Sequence, residues 1–232
     1  MGLANAVVVA AFVFGFLQQV SASGVFELQL SAFSADGLRC CTTDHSLCPP
    51  SHCIARFRVC LKHYQARIDN SSPCIFGTFL SAPVDLKEGA ILDHPIQFRF
   101  DFAWPGTYSL IVEVLRDNST APLDAQNLSQ TLLARLTTQG HLEVGAAWSR
   151  VDARSNGEGS LPGGKSLPGG MARLRFGARV TCDAHYYGPG CANLCRPRDD
   201  GFGHYTCSAA GDRVCLPGWE GDYCTTRKYQ SN

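Results

Sequence analysis

The stretch CDAHYYGPGCANLCRPRDDGFGHYTCSAAGDRVCLPGWEGDYC, residues 182–224, decides the fold of the last part of the chain. Its six cysteines follow the spacing C-x8-C-x3-C-x11-C-x7-C-x8-C. A segment this short buries too little apolar surface to be stable on a hydrophobic core alone, and small secreted modules compensate with disulfides. We therefore predict a disulfide-rich module over 182–224, followed by a tail over 225–232.

The charge balance of the chain argues against a nucleic-acid partner. The 232 residues include 20 basic and 20 acidic side chains, whereas nucleic-acid binders normally carry a basic excess.

The residues Gly159-x4-Gly164-Lys165-Ser166 match the consensus sequence of a phosphate-binding loop. That motif needs a strand before it and a helix after it. Since a Gly/Pro-rich repeat follows instead, we predict no nucleotide binding.

The first residues predict secretion. An almost wholly apolar run from Leu3 to Leu17 is followed by the small-residue segment Val20–Ala22, a typical cleavage site. The run is shorter than the roughly 20 apolar residues that cross a bilayer. We therefore predict a signal peptide over 1–22 and a secreted mature chain.

Candidate glycosylation sites of the N-x-S/T type, which favour exposed loops in secreted proteins, are Asn70, Asn118 and Asn127.

The 12 cysteines fall into two groups of six, with none between Cys74 and Cys182. Even groups in an oxidising compartment predict two separate disulfide frameworks. The first group consists of Cys40, Cys41, Cys48, Cys53, Cys60 and Cys74. Six cysteines allow 15 pairings, so the pairing of this group stays open. Because these cysteines are expected to pair with one another, we predict no metal site at the nearby His45 and His52.

Residues 24–181 show repeated alternation of apolar and polar residues. The clearest run sets Ile96, Phe98, Phe100 and Phe102 against Gln97, Arg99 and Asp101. Such alternation places one face of a strand on a core and the other in water. Several such strands with turn residues between them predict an antiparallel β-sandwich over 23–181. Residues 152–172, which contain SLPGG twice, predict a mobile loop within it.

Basic side chains recur on the polar side of two predicted strands. They are Arg56, Arg58 and Lys62 on one strand and Arg173, Arg175 and Arg179 on the other. A solvated outer face accounts for them. Clustered basic residues also attract anionic headgroups, so contact with anionic membrane lipids or glycans stays open as an alternative.

Three segments before the cysteine-rich run resemble the same protein family as that run does. They are Gly24–Leu30, Arg58–Gln65 and Phe102–Ser109. Together they resemble the Delta-like ligands of the Notch receptor over residues 24–224. The resemblance implies a mainly β chain: a C2-like sandwich, the MNNL module, followed by a DSL module related to EGF. It also implies sequential disulfides in the second module, which are Cys182–Cys191, Cys195–Cys207 and Cys215–Cys224.

The resemblance also implies receptor-contact residues. The aromatic residue before Gly-His-Tyr in the DSL module is a contact anchor, which here is Phe202. The neighbouring positions of that face are Leu194, Arg196, Arg198 and Asp200. The middle phenylalanine of the Phe-x-Phe-x-Phe strand corresponds to a contact of the first module, here Phe100. Its phase with Phe98 and Phe102 fits a core position equally well.

The partner that the resemblance implies is the Notch receptor, whose successive EGF repeats contact the two modules in cell–cell signalling without catalysis. Full-length members are single-pass plasma-membrane proteins with this region outside the cell. Calcium is a further possibility for the loops of C2-like modules, and Asp85, Glu88 and Asp93 are candidate ligands, although their spacing defines no site. The alternative function is a lipid- or glycan-binding C2-like lectin in which the disulfide module is structural.

Overall fold

A computed structural model describes residues 22–35, 54–86, 92–117, 132–155 and 171–228. These residues form sixteen strands and one 3-10 turn, Pro189–Cys191, and they contain no helix long and apolar enough to cross a membrane. The strands are β1 (Gly24–Ala35), β2 (Ile54–Lys62), β3 (Gly77–Leu80), β4 (Val84–Asp85), β5 (Ile96–Phe100), β6 (Thr107–Arg116), β7 (Leu132–His141), β8 (Gly145–Arg154), β9 (Ala172–Cys182), β10 (Tyr186–Tyr187), β11 (Asn193–Leu194), β12 (Arg198–Asp200), β13 (Gly203–Cys207), β14 (Arg213–Cys215), β15 (Trp219–Glu220) and β16 (Thr226–Arg227).

The first nine strands form two antiparallel sheets that pack on each other. One sheet has the strand order β5-β1-β9-β8, and the other has the order β3-β2-β6-β7 with β4 paired to the start of β2. Aromatic rings join the sheets: the centroids of Phe26 and Tyr108 are 5.3 Å apart, and those of Phe33 and Phe57 are 5.9 Å apart. The predicted antiparallel β-sandwich is confirmed.

The alternation in the sequence corresponds to the two faces of the strands. In β5 the side chains of Ile96, Phe98 and Phe100 are buried, whereas those of Gln97 and Arg99 are exposed. The same alternation runs through β9, where every second residue from Ala172 to Val180 lies in the core between the sheets. Period-2 patterning therefore positions both strands correctly.

Lys62 and Cys60 are an exception, because the structure buries them on the outer face of the second sheet. The loop between β2 and β3 folds back over this face and is tied down by the disulfide Cys60–Cys74. The ammonium of Lys62 donates hydrogen bonds of 2.6 Å to the carbonyl oxygens of Asp69 and Ser72. Burial lowers the pKa of Lys62, against the opposing effect of the Asp69 charge. The prediction of a solvated Lys62 is wrong.

The strand arginines are largely paired with acidic side chains. The pairs are Arg56–Asp117 at 3.3 Å, Arg58–Glu113 at 2.5 Å, Arg173–Asp152 at 2.9 Å and Arg179–Glu27 at 2.5 Å. Each of these carboxylates cancels positive charge that a lipid or glycan surface would need. Lys62 is buried as well. Glu113 is shared by Arg58 and Arg135, and Asp152 by Arg154 and Arg173, so the pairing reduces the positive charge of the described strand faces without removing it.

Acid is expected to weaken the sandwich through Glu27. The hydrogen bond from Arg179 lowers the pKa of this carboxyl below its usual 4.5, burial opposes the shift, and a hydrogen bond from Gln97 adds to it. Because the folded pKa is below the unfolded one, this stabilisation is complete above the unfolded value and is lost as the pH falls through the folded value.

Thermal unfolding between about pH 6 and about pH 3 measures this effect when the wild type is compared with Glu27→Gln. The variant lacks the titrating group, so its melting temperature should fall less steeply below the usual pKa of 4.5. Parallel curves for the two proteins would show that Glu27 contributes nothing to acid sensitivity.

Residues after β9 form a second module built from three small sheets: β10-β11, β12-β13-β14 and β15-β16. Disulfides join Cys182–Cys191, Cys195–Cys207 and Cys215–Cys224, which is the sequential order implied by the resemblance. The strand β16 lies in the segment that the sequence assigns to a tail, and it pairs with β15. In the first cysteine group Cys60 pairs with Cys74, and Cys40, Cys41, Cys48 and Cys53 lie outside the described residues.

Candidate functional site

Phe202 lies at the tip of the tight turn between β12 and β13, and 76% of the residue is exposed. Its backbone N–H donates a 2.8 Å hydrogen bond to Oδ1 of Asp200, which closes the turn with a side chain of the preceding strand. Short carboxylate side chains stabilise turns in this way by accepting from the backbone two residues ahead. The turn therefore holds a large apolar ring in water on a fixed backbone.

Arg198 supports the same ring from the start of β12. Its guanidinium carbon lies 5.5 Å from the centroid of Phe202, within the range of a cation–π contact. Its Nε also lies 3.4 Å from Oδ2 of Asp200. Arg198, Asp200 and Phe202 thus form one exposed cluster, which we call the Phe202 face.

Gly203 makes the turn possible. Its φ is +158°, and a Cβ at this position would lie 2.6 Å from the carbonyl oxygen of Tyr223 and 2.9 Å from the ring of Tyr205. No side chain fits that space without a backbone shift. The buried glycine therefore lets the base of the Phe202 turn rest directly on the segment that ends at Cys224.

His204 braces the turn from behind, a role that the sequence does not predict. Its ring stacks on Trp219 with centroids 3.6 Å apart, and Nδ1 makes a short contact with Oδ1 of Asp199. Its backbone N–H donates to the carbonyl oxygen of Cys224 at 3.1 Å. These contacts link β13 to the last disulfide loop, and the only signal in the sequence is the run Gly-His-Tyr after Phe202.

Leu194 and Arg196, the other two members of the predicted face, are exposed on either side of the buried Cys195. Cys195 is fixed to β13 by its disulfide with Cys207, and Leu194 pairs with Tyr186 in the β10-β11 sheet. Within the described part of the chain, no hydrogen bond, ion pair or ring contact joins either residue to the Phe202 face. The structure brings together three of the five predicted positions and leaves two exposed beside them.

Phe100 is buried, which favours the core interpretation of this residue over a receptor contact. Only 6% of it is exposed, and its ring lies 5.4 Å from Phe102 and 5.6 Å from Trp104, centroid to centroid. The reason is strand phase: Phe100 shares the inward face of β5 with Phe98. The exposed apolar side chains of the first module that the sequence did not single out include Tyr64 and Ile75, on the loop that covers Lys62.

Replacing Phe100 by alanine is expected to lower the free energy of unfolding of the sandwich by about 3–5 kcal/mol, since it leaves a cavity among aromatic rings. Urea unfolding of the chain measures this loss, and Arg99→Ala, at an exposed position of the same strand, serves as the control. A Phe100→Ala protein of wild-type stability would contradict the core assignment.

The remaining candidates are the asparagines of the glycosylation motifs and the acidic residues considered as calcium ligands. Asn70 is exposed on the loop between β2 and β3, and Asn118 and Asn127 lie outside the described residues. Asp85 is half-buried in β4 and Asp93 is exposed, while Glu88 lies outside. Among the described residues there is no group of three His, Cys, Asp or Glu side chains that could hold a metal ion.

Comparison with protein families matches both modules of the chain. Residues 23–160 match the family described as the N terminus of Notch ligand C2-like domain. Residues 182–227 match the family described as Delta serrate ligand. The second match extends past Cys224 to include β16.

Curated relatives and one solved structure agree with these matches. The chain is 44% identical to Delta-like protein 1 of Rattus norvegicus, over 97% of this chain and 31% of the relative. It is 41% identical to the neurogenic locus protein delta of Drosophila melanogaster, over 91% of this chain and 26% of the relative. It thus spans under a third of either relative's length. The solved structure of Drosophila C2-DSL-EGF1 matches with 40% identity and a TM-score of 0.63, over 88% of this chain and 87% of that one.

Proposed function

Because the chain belongs to the Delta-like family of Notch ligands and comprises the C2–DSL region of such a ligand, we propose that it binds the Notch receptor outside the cell, with the Phe202 face as its anchor. In this role the chain acts by recognition in cell–cell signalling and not by catalysis. The observation that carries the proposal is the exposed ring of Phe202 on a disulfide-braced turn.

The energetics of protein interfaces support Phe202 as the anchor. Aromatic and arginine side chains supply most of the binding energy at interfaces, because they bury a large area with few rotatable bonds. The backbone of the Phe202 turn is already fixed by Asp200 and by the packing of Gly203. Little conformational entropy is therefore lost when the ring docks, and a larger share of its burial energy is available for affinity.

The two modules supply different parts of the proposed interface. The DSL module would contact one EGF repeat of the receptor through Phe202, Arg198 and Asp200, with Leu194 and Arg196 at its edge. The C2-like module would contact the neighbouring repeat, and its exposed Tyr64 and Ile75 replace Phe100 as the apolar candidates there. Tyr64 and Ile75 lie on a loop held by the Cys60–Cys74 disulfide and by Lys62, so they too are presented on a constrained backbone.

Arg198→Ala is expected to weaken receptor binding less than the loss of Phe202 itself. The guanidinium is about half exposed and already paired with Asp200, and rim charges of this kind act mainly on the association rate. We expect a decrease of a few-fold, about 1 kcal/mol or less, and a smaller dependence of the association rate on salt. Surface-plasmon association rates at two salt concentrations measure both effects, and an unchanged rate would remove Arg198 from the interface.

A direct comparison of ligands separates receptor binding from the lectin alternative. The secreted chain is passed over an immobilised Notch EGF-repeat fragment and, in parallel, mixed with phosphatidylserine vesicles and with a sulfated glycan. Saturable binding to the receptor fragment alone is the expected result. Binding to vesicles or glycan without binding to the receptor fragment would favour the lectin function, although the ion-paired strand arginines argue against it.

A further inference from the structure

The two modules meet without a linker. Strand β9 of the sandwich runs directly to Cys182, which pairs with Gly24 of β1 and begins the first disulfide of the second module. Its partner, Cys191, is fully buried and belongs to the same hydrophobic core as the sandwich residues. The first loop of the second module is therefore packed as part of the first.

A backbone contact between Trp104 and Gly190 locks this loop in place. The N–H of Trp104 donates a 3.0 Å hydrogen bond to the carbonyl oxygen of Gly190. Gly190 has a φ of +66°, and a Cβ at this position would lie 2.9 Å from the carbonyl oxygen of Trp104. Only glycine lets the two backbones approach this closely, since the atom in the way is main chain and cannot rotate aside.

Trp104 is itself anchored in the sandwich. Its indole N–H donates a 2.7 Å hydrogen bond to the carbonyl oxygen of Leu142, and its ring lies 5.5 Å from Phe26 and 5.6 Å from Phe100, centroid to centroid. The contact with Gly190 therefore connects the second module to a core residue and not to a mobile loop.

Polar contacts hold the other side of the junction. The N–H of Asp183 donates to the carbonyl oxygen of Ser23 at 3.0 Å, and the hydroxyl of Ser23 donates to Oδ2 of Asp183 at 2.6 Å. Arg99 lies 3.4 Å from the second carboxylate oxygen of Asp183. We call the set Ser23, Arg99, Trp104, Asp183 and Gly190 the module junction.

We propose that the module junction is a rigid coupling that makes the C2-like and DSL modules bind the receptor as one unit, with Gly190 as its main positioning residue. This inference rests on the proposed function. Two contact surfaces held at a fixed separation bind a two-site partner far more tightly than either alone, because the second contact forms without further loss of orientational freedom. If the junction loosens, each surface stays intact but this gain is reduced.

The test compares Gly190→Ala with the wild type on two receptor fragments: one EGF repeat that contacts the DSL module alone, and a two-repeat fragment that contacts both modules. Gly218→Ala is the matched control, because Gly218 also has a positive φ, +87°, but a Cβ there would meet no atom within 4 Å. We expect Gly190→Ala to lose about tenfold or more in affinity for two repeats and to bind one repeat as the wild type does. Gly218→Ala should stay within about twofold on both fragments.

Three results would overturn the proposal: unchanged binding of Gly190→Ala to two repeats, an equal loss of affinity on one and two repeats, or an equal loss of affinity in Gly218→Ala.

Hydrogen exchange of the Trp104 amide reports on the junction without any receptor, and it should be slow in the wild type and faster in Gly190→Ala. Fast exchange in the wild type would refute the rigid coupling, whereas slow exchange without any receptor binding would refute the proposed function alone. If Gly190→Ala is not secreted, Asp183→Ala takes its place, and unchanged two-repeat binding by that variant overturns the proposal.

Discussion

Replacing Phe202 by alanine is expected to reduce receptor binding by about 30-fold or more while the protein remains folded. Anchor residues of this kind commonly cost at least about 2 kcal/mol when truncated, which corresponds to that factor in the dissociation constant. The residue is 76% exposed, so the loss of its ring removes almost no core packing. The backbone of the turn is held by Asp200 and Gly203 and does not depend on the ring.

Equilibrium binding of the variant to a Notch EGF-repeat fragment measures this effect, with secretion level and circular dichroism as fold controls. Val214→Ala is the matched control, because Val214 is an exposed apolar residue on β14, at the opposite edge of the same three-stranded sheet. A folded Phe202→Ala protein that binds like the wild type would exclude the Phe202 face from the interface. A loss of secretion would instead make Phe202 a structural residue, contrary to its exposure.

Removal of the Cys195–Cys207 disulfide by serine at both positions is expected to unfold the second module while the sandwich stays folded. The loss of a native disulfide from a small module typically costs about 2–5 kcal/mol. This module has little apolar packing to offset it, because many of its large apolar side chains are exposed: Leu194, Phe202, Val214 and Tyr223. The disulfide also ties the segment before β12 to β13, the strand that follows the Phe202 turn.

Limited proteolysis measures this result, with rapid cleavage expected after Cys191 and a resistant fragment that contains the sandwich. Receptor binding should be lost together with the folded module. The matched control removes Cys60–Cys74 in the same way, which should loosen the loop over β2 but leave the second module resistant. Equal protease resistance of the Cys195/Cys207 variant and the wild type would mean that the module stays folded without this disulfide, held by its packing and by the two disulfides that remain.

The sandwich could be predicted from the sequence because strand alternation directly encodes which face is buried. Ile96, Phe98 and Phe100 follow one period, and the structure buries all three. The same rule favours the core interpretation of Phe100, since this residue is in phase with the buried Ile96 and Phe98. The resemblance assigns Phe100 to a receptor contact, whereas the strand alternation assigns it to the core, and its burial agrees with the alternation.

Lys62 and Gly190 show what local patterns cannot reveal. Lys62 is buried because the loop that follows it in the chain folds back over β2 and supplies carbonyl acceptors, and a period-2 pattern carries no information about such a cover. Gly190 contacts Trp104, a residue 86 positions earlier in the chain (190 − 104 = 86), so its requirement for glycine depends on tertiary structure. The proximity of Phe202, Arg198 and Asp200 could be predicted because they lie within five consecutive residues, whereas their role in binding stays a proposal.

Amide hydrogen exchange of the chain, with and without a saturating Notch EGF-repeat fragment, tests whether the receptor docks on the Phe202 face, because it locates the contact as well as detecting it. Slower exchange is expected in the receptor-bound state at 194–203, around the Phe202 turn, while the amides of β8 and β9 exchange as before. Unchanged exchange at 194–203 in the saturated complex, or protection confined to β8 and β9, would contradict this docking.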